Sequence, residues 1–252
     1  MKRMELIDVY KRFGDTEVSR GINLTIEAGT ATAIVGRSGE GKSVLLKQMI
    51  GLIRPTEGQI LVDDVDITQL NETELSNTLA EFGYVFQFAA LLDSLNTYEN
   101  IGITLIEKGY PRSEVLPIVE EKLRLVNLRP DTLNKYPSEL SGGMRKRVGL
   151  ARTLVTNPTV ILYDEPTTGL DPITSRIIHE LIFDMQKKLN LTSIIVSHDI
   201  ELFKYVDRVA LLHNGVIQAV CDADKIWEST NPYIYQFIRG LTEGPIQMDA
   251  KK

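Results

Sequence analysis

Cysteine is nearly absent: one thiol, Cys221, occurs in 252 residues. A lone cysteine excludes an internal disulfide and a cysteine-based zinc site, and it fits a small apolar core residue in a reducing compartment. Positive charge is also short, because 28 Lys and Arg stand against 34 Asp and Glu, for a net charge of −6. That balance lacks the basic face that nonspecific nucleic-acid binding needs and serves solubility instead. No apolar run approaches the ~18 residues of a membrane span. The start, Met1-Lys2-Arg3-Met4-Glu5, passes into a strand-like pattern without a signal-peptide hydrophobic region. These absences imply a cytosolic chain, with any membrane part supplied by another protein. What remains is ample for folding: 43% of residues are hydrophobic, enough for the core of one large α/β domain or a core with an inserted subdomain.

The most informative stretch is Gly36-Arg37-Ser38-Gly39-Glu40-Gly41-Lys42-Ser43. It closes an apolar run, Ala31 to Val35, and opens a helical one, Val44 to Ile50. The spacing is that of a P-loop, whose backbone N–H groups curl around phosphates while the lysine reaches the outer ones and the serine hydroxyl binds Mg²⁺. Gly36, Gly39 and Gly41 are expected to allow positive φ and a close backbone approach to the anion. The helix that follows aims its N-terminal dipole at the same place.

Around it, Met4 to Val9 and Ile22 to Ile26 alternate like half-buried antiparallel strands joined through Gly14-Asp15. Tyr10 and Phe13 either pack beneath that sheet or offer a ring face to a purine, and the residues alone favour packing. Gln59 to Val62 and Gly83 to Phe86 read as further strands, the latter ending at Gln87. From Phe88 to Leu140 helical periodicity dominates, which suggests an inserted helical lobe. Within it Ser113 is a candidate helix cap, Pro117 is expected in the first turn, and Asn127 followed by Pro130 ends the helix.

Leu140-Ser141-Gly142-Gly143-Met144 introduces another helix, whose exposed N–H groups, hydroxyl and glycines form a second anion site. Arg145, Lys146, Arg147 and Arg152 follow on that helix, either as a solvated face or as a partner contact. Val160 to Tyr163 is an apolar strand ending in Asp164-Glu165, at the edge where α/β sheets place ligands. Successive strand residues point opposite ways, so one carboxylate can face Mg²⁺ and the other a water. Thr192 to Val196 ends in Ser197-His198-Asp199, which puts His198 at the same kind of strand end, whereas His179 and His213 read as structural or solvent-facing. Asn214-Gly215 between apolar runs signals a hairpin. Trp227, Tyr233, Tyr235 and Phe237 lie in a helix-like segment, expected to pack first and meet partners second, before a polar end, Met248 to Lys252.

The ordered set resembles ABC-type ATPases: the P-loop from Gly36 to Ser43, Gln87, Leu140-Ser141-Gly142-Gly143, Asp164-Glu165, the Asp171 loop and His198. The resemblance implies an α/β P-loop NTPase (RecA-like) core with an N-terminal antiparallel β subdomain and an inserted α-helical subdomain at about 88–140. The ATPase domain would occupy 1–240 and a tail 241–252. It further implies ATP and Mg²⁺ as ligands. Phe13 would stack on adenine, against the packing preference, while Tyr10 stays in the core. Gly36, Arg37, Ser38, Gly39, Glu40, Gly41, Lys42, Ser43 and Val44 would surround the phosphates. Ser43, Gln87 and, through water, Asp164 would hold Mg²⁺; Glu165 would be the general base and His198 would contact the γ-phosphate. Ser141 and Gly143 would close the site of a second copy in a head-to-tail dimer. Gln87 leads into the helical lobe, where such ATPases receive a coupling helix from a membrane permease.

A narrower resemblance, to ATPases of Mla-type and Mce-associated lipid transporters, rests on Gly41 to Lys47, on Gly142 to Gly149 and on Asp171 to Ser175. Met144 in place of the usual glutamine and Val44 in place of the usual threonine agree with that branch, as does the ending Gln236 to Gly240 with Gly244-Pro245-Ile246. It implies phospholipid transport with a permease and an Mce-type lipid-binding protein, at the cytoplasmic face of a bacterial inner membrane. An ATPase of a small-solute importer would share every catalytic motif. A soluble ABC-type regulator acting on DNA or ribosomes would need two cassettes, a long coiled coil or a basic face, and none is evident.

Overall fold

The computed structural model describes residues 2–247; the polar end Met248 to Lys252 lies outside the described residues. The elements, in chain order, are β1 (Met4–Phe13), β2 (Thr16–Ile26), β3 (Ala31–Val35), α1 (Lys42–Met49), β4 (Glu57–Val62), β5 (Val65–Asp66) and α2 (Glu72–Thr78). Then follow β6 (Phe82–Val85), α3 (Thr97–Glu107), α4 (Arg112–Leu125), α5 (Gly142–Leu154), β7 (Val160–Asp164) and α6 (Pro172–Leu189). The chain closes with β8 (Thr192–Ser197), β9 (Arg208–His213), β10 (Val216–Asp222) and α7 (Pro232–Arg239). They form two compact units, one made of the chain up to Leu79 and from Thr192 onward, the other of Ala80–Leu191. The architecture is that of an α/β P-loop NTPase with an antiparallel N-terminal sheet, as the motifs imply.

In the first unit, β2, β1, β4 and β5 form an antiparallel sheet in that order. Met4, Leu6, Ile22, Leu24 and Ile26 are buried on its inner face, as the period-two pattern requires. Ala31 to Val35 are buried throughout because β3 runs parallel to β8 on one side and to β9 on the other, the setting in which a strand reads as a continuous apolar run. β9 and β10 form the expected hairpin, with Asn214 and Gly215 at φ 51° and 74°. Tyr10 corrects its core assignment: it is 40% exposed, although its ring lies close over Gly21. Cys221 is only half-buried, since β10 is an edge strand. α7 buries Ile234 and Ile238 but leaves Tyr235 45% exposed, and Trp227 falls in a separate 3-10 turn, Ala223–Glu228, at 48% exposed.

In the second unit β6 and β7 pair in parallel, and α3, α4, α5 and α6 supply its helices. Asn96 caps α3 through a reciprocal bond with Glu99. Two local expectations for α4 fail. Its N-cap is Pro111, whose extended backbone starts the helix at Arg112, so Ser113 is already helical and Pro117 lies in the interior beyond the first turn. Val115, Val119 and Leu123 form its buried stripe, and Asn127, at φ 54°, terminates it. Among the described residues no helix is long and apolar enough to cross a membrane.

Candidate functional site

In the first unit, the P-loop links the end of β3 to α1. Gly41 caps α1 at φ 88° and Gly39 has φ 86°, a region that a side chain enters at a cost. Gly36 departs from expectation. Its φ is not positive; a Cβ there would lie 2.4 Å from the Leu212 carbonyl oxygen, so close approach to β9 is what demands glycine. Lys42 is buried, and its Nζ donates to the carbonyls of Gly36 and Arg37 at 2.8 and 2.9 Å. The ammonium is thereby drawn across the loop. Ser43 and Val44 are half-buried in the first turn of α1, while Ser38 and Gly39 are exposed.

Two neighbours fix the loop from outside. The Glu40 carboxylate lies 2.8 Å from His213 Nδ1 and accepts from Asn214 N at 2.7 Å. Arg37 donates to the Gln247 carbonyl at 3.0 Å. Val35 pairs with Ser197, so Gly36 and His198 leave the sheet at one level, with His198 exposed. Phe13 is 47% exposed, and Lys11 Nζ sits 4.8 Å from its ring centroid.

In the second unit, Val85 pairs with Tyr163, so Gln87 and Asp164-Glu165 emerge from one sheet edge. Tyr84, on the neighbouring strand, donates from Oη to Asp164 Oδ2 at 2.9 Å. Burial first, then the Asp164 charge and this hydrogen bond, push the Tyr84 phenol well above the usual tyrosine range. Glu165 has φ 48°, a sparsely populated conformation for a non-glycine residue that clusters at functional sites. Thr168 Oγ1 donates to its carboxylate at 3.2 Å.

The N-termini of α5 and α6 lie together. Ser141 caps α5, accepting from Met144 N at 3.3 Å, and a Cβ on Gly143 would come within 2.7 Å of Thr174 Cγ2 on α6. Asp171 caps α6 by accepting from Ile173 N, Thr174 N and Thr174 Oγ1. These bonds hold its carboxyl below the usual range, the Thr174 hydroxyl first among them.

The basic residues of α5 are turned to backbone carbonyls, with Lys146 buried, Arg147 and Arg152 half-buried and Arg145 exposed. Arg145 donates to Leu140 O, Lys146 to Gln87 O, Arg147 to Asn127 O, and Arg152 to Ala89 O and Ala90 O. Lys146 is 8% exposed; burial lowers the pKa of its ammonium and the charge of Glu165 partly offsets this. Each basic side chain thus answers a backbone carbonyl of the same unit.

The donors suit a hard divalent cation. In the second unit Gln87 offers an amide and Asp164 a carboxylate held in orientation by Tyr84, and in the first unit Ser43 offers a hydroxyl, each an oxygen donor of the kind Mg²⁺ takes alongside phosphate oxygens. Among the described residues no cluster of three or more His, Cys, Asp or Glu forms a protein-only metal cage, and a phosphate-borne metal needs none. Sequence reasoning missed Tyr84, the Gln87 carbonyl as the partner of Lys146, and the bonds of Glu40 to His213 and Arg37 to Gln247. Only the adjacency of β6 to β7 singles out Tyr84, and that pairing is not written locally.

Residues 19–168 match the family model described as ABC transporter. The chain is 40% identical over 251 residues to the probable ribonucleotide transport ATP-binding protein mkl of Mycobacterium tuberculosis, covering 99% of this chain and 70% of the relative. It is 37% identical over 240 residues to the intermembrane phospholipid transport system ATP-binding protein MlaF of Haemophilus influenzae, covering 94% and 90%. It also resembles the dimeric post-hydrolysis state of an ATP-binding cassette bound to ADP and Pi, at TM-score 0.79 and 31% identity, over 87% of this chain and 98% of the other.

Proposed function

Because the chain belongs to the ABC transporter family, we propose that it is the ATP-hydrolysing subunit of a transporter that moves phospholipid between membranes. The observation that carries the lipid reading is the likeness to MlaF, which spans nearly all of both chains; the departures at Val44 and Met144 from the general motif pattern agree with it. The likeness to mkl keeps a solute importer as the second reading.

In this mechanism Lys42 holds the outer phosphates and the P-loop N–H groups cradle the inner ones. The Ser43 hydroxyl, Gln87 and, through water, Asp164 hold Mg²⁺, and Phe13 offers its exposed face to adenine. Bound Mg²⁺ supplies a divalent charge over the phosphate oxygens. Glu165 accepts a proton from the attacking water as general base, and His198 contacts the γ-phosphate. Ser141 and Gly143 place the N-terminus of α5 against the nucleotide of a second copy, arranged head to tail.

A permease completes the assembly, docked on the helical part of the second unit. A groove of about 300 Å³ there is lined by Leu95, Tyr98, Ile103, Ile106, Tyr110 and Arg112, and Phe88 nearby in sequence is 79% exposed. Such an apolar surface suits a short permease helix. An Mce-type protein would carry lipid beyond the permease, with the ATPase on the cytoplasmic face of a bacterial inner membrane.

The test is purification of the complex from its native host, followed by reconstitution in vesicles holding labelled phospholipid. ATP-dependent lipid transfer is expected. A copurified permease that moves ribonucleotide or another small solute and no lipid overturns the lipid reading in favour of the importer.

A further inference from the structure

The segment that leaves β6 carries two consecutive non-glycine residues in the left-handed region, Ala89 at φ 60° and Ala90 at φ 47°. Such a backbone persists only where its surroundings over-determine it. One face of α5 does so, through residues spaced three or four apart. Lys146 donates to the Gln87 carbonyl. Arg152 forks onto the Ala89 and Ala90 carbonyls, at 2.7 Å each. Thr153 Oγ1 reaches the Tyr84 carbonyl at 3.2 Å. Gly149, between the two cations, lets Ala89 press onto the helix: a Cβ added there would stand 3.2 Å from the Ala89 Cβ and carbonyl oxygen. The carbonyls of residues 84, 87, 89 and 90 are therefore gripped by the same helix whose first turn carries Ser141 and Gly143.

We propose that Lys146 and Arg152 are positioning residues for Gln87, fixing its backbone so that its side chain is pre-aimed at Mg²⁺. The two cations also make the loop at Gln87 and the N-terminus of α5 move as one body. The idea rests on the reading of Gln87 as a metal ligand. A buried ammonium that answers a backbone carbonyl has a job no apolar side chain of similar length can fill, because the carbonyl then loses that donor.

The test is the affinity of the full chain for Mn²⁺ in the presence of a non-hydrolysable ATP analogue, read from the electron paramagnetic resonance of free Mn²⁺. Hydrogen exchange of residues 86–92 is followed on the same samples. Gln87→Ala is the reference variant and Arg147→Met the control, since Arg147 gives a cation-to-carbonyl bond on α5 to Asn127 rather than to this segment. Lys146→Met is expected to weaken Mn²⁺ by roughly 10–100-fold, as loss of outer-shell partners does. It should also speed exchange in residues 86–92 and add no further loss in a Gln87→Ala background. Arg152→Lys keeps the charge but not the two-pronged grip; it should shift both readouts the same way by less, and it serves if Lys146→Met folds poorly. Unchanged Mn²⁺ affinity in Lys146→Met or Arg152→Lys while Gln87→Ala weakens it overturns the proposal and leaves the role of Gln87 standing. So does a further, additive loss in the double variant. Unchanged affinity in Gln87→Ala itself removes the role of Gln87, and the proposal with it.

Discussion

Tyr84 Oη donates to Asp164 Oδ2 at 2.9 Å, from one parallel strand to the next. The bond orients the Asp164 carboxylate, which the proposed mechanism sets toward Mg²⁺ through water, and it makes Tyr84 a positioning residue. Tyr84→Phe keeps the ring and its tilted contact with Phe86, whose centroid is 4.7 Å away, and deletes only the donor. We expect the Mg²⁺ concentration for half-maximal hydrolysis to rise by roughly 10–100-fold, measured by metal titration of ATP turnover at constant ATP.

Glu165→Gln should lower turnover by about 10²–10⁴-fold, the usual contribution of a positioned general base. ATP binding should persist in equilibrium titration, with an ATP-bound dimer accumulating on size-exclusion chromatography. Near-normal hydrolysis would end the assignment of Glu165. Lys42→Ala should fail one step earlier, in ATP affinity, since a hydrogen bond to a charged group contributes about 1.5–3 kcal/mol.

Asp171 supplies a pH dependence of defined sign. Its carboxyl is held below the ordinary 3.8 by the Thr174 hydroxyl and the first-turn amides of α6. A carboxylate whose folded pKa is depressed contributes stability above its unfolded pKa and loses it as pH falls through the folded value. The thermal midpoint of Asp171→Ala should therefore lie below wild type at pH 7, and the gap should close as pH drops below 3.8. A gap that widens in acid would contradict the linkage.

Glu40 ties the P-loop to the β9–β10 hairpin, and its side chain is 11% exposed against 6% for His213. Glu40→Ala leaves a buried imidazole N–H and the Asn214 amide without their acceptor. We expect a loss of about 1–3 kcal/mol in urea denaturation.

The sequence made the strands and the phosphate loop legible because their signals are local. Ala31 to Val35 is apolar at every position, Ile22, Leu24 and Ile26 alternate, and Asn214-Gly215 marks its own turn. The positions of Gln87, Asp164-Glu165 and His198 at strand ends were equally readable, since each follows an apolar run directly. The cations of α5 were not: Arg145, Lys146, Arg147 and Arg152 look like a solvated stripe until the carbonyls opposite them are known. Those carbonyls belong to residues 5 to 63 positions away. The positive φ expected of Gly36 is absent, and what demands glycine there, the Leu212 carbonyl, lies far along the chain. Tyr10 misled because an aromatic in an apolar strand reads as core, whereas its ring lies against Gly21 and remains partly in solvent.

The Asn214-Gly215 turn has a chemical side as well. An asparagine followed by glycine is the pairing most open to deamidation, since no side chain hinders the glycine amide from closing onto the asparagine. Here the Glu40 carboxylate pins the Asn214 N–H and the hairpin holds both φ angles positive, which restrains that cyclisation. Conversion of Asn214 to a carboxylate would set a second negative charge beside Glu40. Such a change would reach the phosphate loop through Glu40, the residue that ties this turn to it.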